Sequence, residues 1–498
     1  MLEQIISGLF TLQTLVALVV GVCGGTIIGC LPGLSASMGV ALLMPMTYSM
    51  DTVPALVMLT AIYTCAIYGG SISAILIHTP GTPSSAATAL DGYTMTLQGK
   101  GLKAVGYSTY SSCVGGVLSA IALFTISPAL SLLSLKFSSA EYFLIAIFGL
   151  TIIASVASDN IVKGLAAGAL GLTIACIGSD PLTGYGRLTF GVKALQSGVS
   201  FVPALIGLFS VSQVMVTSET IFKQEKKEIA AVKGKFWPTA KEMLFTLPTV
   251  IKSSIIGIFI GILPGAGGDI ASWVAYNLAK NSSKEQESFG KGNPIGICAS
   301  EAANNAVTGG SLIPLLTLGV PGSAVASILL GGFLIQGMVP GRALFTTGAV
   351  STYSIITGFT IANILMGFFG AFVAKHLIKA TLIPSAIMTP VIVVLSVVGS
   401  FAINRRLFDV YIMVFFGLIG YVMVKAHFST AGIVLALVLG NMAEIGYRQA
   451  VVLAKGNTLA YFMSRPICLI LVALIVISLL IPAVNYSKKK KKAAESQK

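Results

Sequence analysis

Gly29-Cys30-Leu31-Pro32-Gly33 and Gly261-Ile262-Leu263-Pro264-Gly265 are two copies of one phrase, set 232 residues apart in apolar surroundings. Proline removes a backbone donor and glycine frees the chain, so each phrase is expected to stop a helix that its flanks would otherwise continue. The apolar stretches that give these breaks their meaning include Ile5 to Ile28, Tyr142 to Ala157, Val410 to Val424 and Cys468 to Ile481. Each is a whole or the larger part of the roughly 20 residues that a bilayer crossing needs. Across all 498 residues the chain is 55% hydrophobic and 10% charged, with a mean hydropathy of +0.91, which is no soluble composition. The expected fold is an all-α, polytopic integral membrane protein of about 10–12 spans, with helices broken or re-entrant inside the membrane.

Other phrases recur in the same order. Gly69-Gly70-Ser71 matches Gly309-Gly310-Ser311 at an offset of 240, Pro80-Gly81-Thr82 matches Pro321-Gly322-Ser323 at 241, and Phe148-Gly149-Leu150 matches Phe416-Gly417-Leu418 at 268. The growing offset implies insertions in the second copy, about eight residues near Lys284 to Lys291 and about 27 more between Gly341 and Asp409, enough for one extra helix. The expected organisation is a membrane repeat over 1–220, a basic linker over 221–242, a second membrane repeat over 243–487 and a lysine-rich tail over 488–498. Transporter halves of this kind are commonly inverted, with one shared site near the bilayer midplane.

The net charge of +14 sits in short segments between apolar runs. That is the pattern of positive-inside anchoring, not of a nucleic-acid surface. Ile221 to Glu242 holds six Lys against three Glu, and Lys488 to Lys492 opens the tail; both are expected in the cytoplasm. The seven cysteines lie singly in apolar sequence, and only His78, His376 and His427 accompany them. Neither a disulfide nor a transition-metal site is expected. Met1-Leu2-Glu3 lacks the basic opening of a signal peptide, so the first apolar stretch reads as a retained span.

Broken helices leave free N–H groups and a positive dipole end, both suited to an anion. The breaks are marked by Pro32, Pro80, Pro83, Pro264 and Pro321. The small or hydroxyl residues beside them, Gly33, Ser35, Ser37, Thr82, Ser84, Gly265, Gly267, Gly322 and Ser323, with Ser85 in addition, are the candidates for binding a carboxylate. Close helix packing is the plainer role for any one of them. A second set, Asp269, Glu301, Asn304, Asn305, Thr308 and Ser311, offers hard oxygen ligands for a cation such as sodium, or for Glu301 a proton. Asp269 serves equally as a helix cap. His78 can reach a solute or pack as a core residue, and Lys100, Lys103 and Arg342 read as interfacial anchors. No phosphate loop, HExxH or GxSxG occurs, so no enzyme and no bound cofactor is expected, only a coupling cation, Na+ or H+.

The blocks GCLPGLSASMG (Gly29 to Gly39), YGGSISAILIHTPGTPSSAATALDGY (Tyr68 to Tyr93), GILPGAGGDIASWVAY (Gly261 to Tyr276) and EAANNAVTGGSLIPLLTLGVPGSAVASILLGG (Glu301 to Gly332) carry a resemblance. The chain resembles the large membrane subunit of the bacterial tripartite tricarboxylate transporter family, from about Gly21 to Val484. The resemblance implies a cation-driven importer of tricarboxylates or other small carboxylates in the bacterial inner membrane. It implies two partners, a small membrane subunit and an extracytoplasmic solute-binding protein. A stand-alone ion-coupled transporter of another small solute is the alternative reading, and an intramembrane hydrolase a third.

Overall fold

Away from water only a helix pairs all its own backbone groups, and this apolar chain is helix wherever its sequence permits. The computed structural model describes residues 2–31, 33–133, 136–156, 161–180, 183–220, 234–263, 267–380 and 385–478. The first half holds α1 (Leu2–Leu9), α2 (Leu12–Cys30), α3 (Ala36–Leu43), α4 (Thr52–Ile77), α5 (Ala86–Leu97), α6 (Gly101–Leu133), α7 (Ser139–Val156), α8 (Ile161–Ala175), α9 (Phe201–Leu205) and α10 (Ser212–Thr220). The second holds α11 (Ala240–Ile262), α12 (Gly267–Ser282), α13 (Pro294–Leu318), α14 (Ala324–Ile335), α15 (Ala349–Ala380), α16 (Ser385–Asn404), α17 (Leu407–Lys425), α18 (Thr430–Leu453) and α19 (Thr458–Met463). Among the described residues the only strands are the two-residue pair Gly178–Ser179 and Gly186–Arg187, antiparallel with Gly178 opposite Arg187. Eight helices are long and apolar enough to cross a membrane, and four shorter apolar ones accompany them.

The breaks fall where the sequence puts them. α2 ends at Leu31 with φ −79°, ψ 121°, and α11 ends at Leu263 with φ −75°, ψ 119°. α4 ends at His78 and α13 at Gly319, both in the left-handed region. Pro32, Pro264 and Gly265 lie outside the described residues.

Helix contacts give the register between the halves. α2 runs alongside α4 in the same direction: a Cβ at Gly25 would meet the Ile62 carbonyl at 2.8 Å, and one at Gly29 the Ala66 carbonyl at 2.0 Å. α11 repeats this on α13, with Gly257 against Ala303 at 2.3 Å and Gly261 against Val307 at 2.9 Å. Thus α2 answers α11 at 232, while α4 answers α13 at 241. Gly69, backing onto Thr26, corresponds to Gly310, backing onto Ile258. The Gly-Gly-Ser match at 240 is therefore one residue out of register, because two adjacent glycines align with two others in more than one way and packing selects between them.

The Phe-Gly-Leu match at 268 is corrected as well. Gly149 on α7 packs on Leu439 of α18, whereas Gly417 on α17 packs on Val211. The residue comparable with Gly417 is Gly171 on α8, which backs onto Ile433 and Ala436 of α18. By element order α15, α16 and α17 answer α6, α7 and α8, and the extra helix expected between Gly341 and Asp409 is absent among the described residues. Phe, Gly and Leu abound in membrane helices, so a three-residue match between them carries little register information.

α4 and α13 occupy the centre. Every residue from Pro54 to Ile77 and from Gly296 to Thr317 is buried. α6 runs against α4, with Tyr68 on Thr109 (2.7 Å) and Ser71 on Ser108 (2.6 Å). The same helix runs with α13, where Ser112 meets Glu301 (3.1 Å) and Ser119 lies against Gly309.

Candidate solute and ion site

Each half brings its own two breaks together. A Cβ at Gly81 would lie 2.1 Å from the Gly29 carbonyl oxygen and 2.8 Å from the Gly70 Cα. A Cβ at Gly322 would lie 2.1 Å from the Gly261 carbonyl oxygen and 2.8 Å from the Ser311 Cα. Only glycine admits such approach, which explains the Pro-Gly in both loops. The next residue caps the following helix. Ser323 accepts from the Ala326 N–H (3.1 Å) at the start of α14, and Thr82 opens the 3₁₀ turn Pro83–Ser85 that leads into α5.

The halves meet at Thr64 and Asn305, which are equivalent at the 241 offset. The Asn305 amide donates to the Thr64 carbonyl (3.3 Å) and hydroxyl (3.2 Å), and the Thr64 hydroxyl donates to Asn363 Oδ1 (2.7 Å). Residues at equivalent positions of the two halves thus touch each other. Thr308 donates to the Asn305 carbonyl at 2.6 Å.

On either side lie two comparable polar clusters. At the start of α5, Thr82 and Ser84 share a hydrogen bond of 3.0 Å, and Ser84 faces Gly268 at the head of α12. A Cβ built on Gly268 would sit 2.5 Å from Asn304 Oδ1 and 3.3 Å from the Ser84 Cβ. Asn304 is 1% exposed; neither atom of its amide makes a full hydrogen bond among the described residues, and the Glu301 carboxylate is its polar neighbour. One turn away Glu301, fully buried, accepts from Thr88 (2.5 Å) and Ser112 (3.1 Å). At the start of α14 the corresponding place is filled. The Tyr63 hydroxyl lies 3.0 Å from Ser311 and 2.9 Å from Ser323.

Other sequence candidates fall elsewhere. Ser35 spends its hydroxyl capping α3 (Met38 N–H, 3.2 Å), and Gly33 is exposed beside Thr217 of α10. Ser37 is buried in the first turn of α3, and Ser85 donates to the Gly70 and Thr82 carbonyls (3.0 and 2.8 Å). Gly267 takes φ 61° at the head of α12, and Asp269, exposed in its first turn, adjoins the central cluster through its neighbour Gly268 and lies within electrostatic reach of Tyr63. His78 is an exposed left-handed cap, its ring 4.5 Å from that of Tyr93. Lys103 pairs with Glu242 at 2.6 Å; Lys100 and Arg342 are exposed.

Sequence reading passed over Tyr63, Thr64, Thr88, Ser112 and Asp91. The 241 register would have pointed to Tyr63 and Thr64, the counterparts of Asn304 and Asn305. Asp91, fully buried, accepts from the N–H groups of Gly290 (2.8 Å), Gly292 (2.9 Å) and Asn293 (2.7 Å) and from the Tyr276 hydroxyl (2.9 Å). It ties α5 to the entry of α13, and its signal was a lone acid in the apolar block that ends Leu90-Asp91-Gly92-Tyr93.

Comparison with known proteins agrees with this architecture. The family model described as Tripartite tricarboxylate transporter TctA family matches residues 15–435. An uncharacterized 52.8 kDa protein from the TAR-I ttuC' 3' region of Agrobacterium vitis is 33% identical over 475 residues, 95% of this chain and 94% of its own length. A second uncharacterized protein, from the TAR-II ttuC' 3' region of the same organism, is 34% identical over 232 residues, 46% of this chain and 96% of its own length. No solved structure matches the chain significantly.

Proposed function

Because the chain belongs to the tripartite tricarboxylate transporter TctA family, we propose that it is the translocating subunit of a binding-protein-dependent importer of small carboxylates, driven by a cation gradient. The observation that carries this reading is the buried Asn304 amide, without a full hydrogen bond and beside the Glu301 carboxylate, where α5, α12 and α13 converge. Its nitrogen suits a carboxylate oxygen and its oxygen a hard cation. The first-turn hydroxyls and N–H groups of α5 add donors for the anion. Glu301, with no ion pair among the described residues, supplies negative charge to a cation or holds a proton. Asn305 and Thr308 support that cation region through Thr64.

Inverted repeats follow in the same reading. α6 opposes α4 and accompanies α13, which supports opposite directions for α4 and α13. Thr64 stands twelve residues into α4 and Asn305 eleven into α13. At about 1.5 Å per residue these are depths of about 18 and 16 Å, close to the middle of a bilayer whose core is about 30 Å thick. Lys100, Lys103, Lys241, Lys280, Lys284 and Lys291 gather at one end, where Gln98 bonds the Lys291 carbonyl and Lys103 pairs with Glu242. That end faces the cytoplasm of a bacterial inner membrane, together with the linker. Residues 221–233 of the linker and the whole 488–498 tail lie outside the described residues.

The test is uptake of labelled citrate and of a panel of smaller carboxylates into proteoliposomes, with the small membrane subunit, with and without purified binding protein and with imposed Na+ or H+ gradients. Uptake that needs the binding protein and collapses with the gradient is expected. Uptake by this chain alone would favour a stand-alone transporter, and gradient-independent uptake would remove the coupling.

A further inference from the structure

The two polar clusters where the halves meet are built from equivalent backbone but not from equivalent side chains. At the 241 offset Asn304 corresponds to Tyr63, Thr82 to Ser323 and Gly70 to Ser311. The first cluster therefore has Asn304, 1% exposed, facing Ser84 and Gly268, its amide making no full hydrogen bond among the described residues and having the Glu301 carboxylate as its polar neighbour. In the second, Tyr63, also 1% exposed, brings one hydroxyl within 3.0 Å of Ser311 and 2.9 Å of Ser323. A buried amide without a full hydrogen bond is costly, and chains rarely keep one unless something else satisfies it. A phenol that reaches two hydroxyls is the opposite case, a polar network closed within the protein.

We propose that these clusters are used unequally. The Tyr63 hydroxyl acts as a built-in ligand for the cluster at the start of α14, so that only the cluster at the start of α5, faced by Asn304, takes a carboxylate oxygen and its cation. Each chain then carries one such site instead of a symmetric pair, and Tyr63 determines that number. This rests on the carboxylate and cation reading above for the identity of the ligand, but not for the asymmetry itself.

The asymmetry can be read without any ligand. Thermal unfolding of the purified full chain in detergent, in choline chloride buffer, is compared for the parent, Tyr63→Phe and Asn304→Ala. Tyr63→Phe removes the two hydroxyl contacts to Ser311 and Ser323, which keep only the Thr308 carbonyl and the Ala326 N–H, and is expected to lower Tm by about 2 °C. Asn304→Ala removes an amide with no hydrogen bond of full strength and only the Glu301 carboxylate beside it, so its Tm is expected to fall by less than that of Tyr63→Phe. An Asn304→Ala variant that loses as much as Tyr63→Phe would overturn the proposal, because both clusters would then be satisfied internally. So would a Tyr63→Phe variant of unchanged Tm.

Adding NaCl in place of choline chloride then tests occupancy. The parent and Tyr63→Phe are expected to gain Tm and Asn304→Ala to lose that gain. Tyr63→Asn, which copies Asn304 into the second cluster, is expected to gain more than the parent. If sodium and citrate stabilise nothing, the ion and solute reading fails while the ligand-free comparison still decides the role of Tyr63. If Asn304→Ala retains the full sodium gain, the first cluster is not the site and the proposal falls. Tyr63→Ala serves in place of Tyr63→Phe should the phenyl ring shift to fill the gap.

Discussion

Glu301 concentrates the residue-scale problem, a carboxylate removed from water whose described neighbours are all neutral, the hydroxyls of Thr88, Ser112 and Ser71 and the Asn304 amide. A buried charge without a counter-charge is expensive, so a cation or proton in the working protein would offset it. Glu301→Gln keeps the volume and can still accept from Thr88, so purified yield is expected to stay within about twofold of the parent while gradient-driven uptake falls about tenfold or more, the equivalent of 1.4 kcal/mol. Equal uptake in the variant would take Glu301 out of the coupling machinery. Asp91 is the contrasting acid. Its three backbone donors and one phenol satisfy it fully within the protein, so its work is to hold α5 against the entry of α13. Asp91→Ala leaves three part-buried N–H groups and the buried Tyr276 hydroxyl without their acceptor, and a loss of about 1–3 kcal/mol is expected. It should register as a lowered Tm in detergent, whatever the ion present.

At the scale of the element, what matters is that a broken helix is stable only when its break is packed. Gly81 and Gly322 each lie so close to the carbonyl of the partner break, Gly29 or Gly261, that an added methyl group would sit 2.1 Å from oxygen. Gly81→Ala or Gly322→Ala therefore has to force the loop away from the hairpin, at an overpacking cost of about 1–3 kcal/mol. The expected result is a lower Tm together with loss of uptake in both. Gly168→Ala is the control, since nothing lies within 4 Å of a Cβ there and the residue is helical; its Tm is expected to hold or rise. Equal behaviour of all three variants would mean that the close approach carries no structural weight.

At the scale of the whole molecule, the direction of each half can be checked from outside. Ser49 precedes α4 and Asn281 ends α12, and they are equivalent at the 232 offset. In a background lacking the seven native cysteines, a single cysteine at position 49 is expected to react with an impermeant thiol reagent on intact spheroplasts. A single cysteine at 281 is expected to stay protected until the membrane is opened. Labelling of both from the same side would mean parallel halves, and the shared midplane site would lose its geometric basis.

Composition and the spacing of Leu-Pro-Gly and Pro-Gly were enough to determine that this is a helical membrane protein whose helices break in recurring places. Hydrophobic burial and proline chemistry act locally, so they are legible one residue at a time. The polar cluster from Glu301 to Ser311 was equally visible, because a polar run stands out against apolar sequence. Which of those residues face one another was not. Gly-Gly-Ser suggested a register of 240 and Phe-Gly-Leu an extra helix, and both gave way to packing, since short strings of small residues fit several alignments while a glycine pressed on a carbonyl fits one. The pairing of Thr64 with Asn305, the Tyr63 hydroxyl between Ser311 and Ser323, and the Asn304 amide left without a full hydrogen bond are long-range facts. Residues some 240 positions apart acquire them only when two half-chains fold against each other, and tertiary structure alone decides which polar groups are satisfied within the protein and which are not.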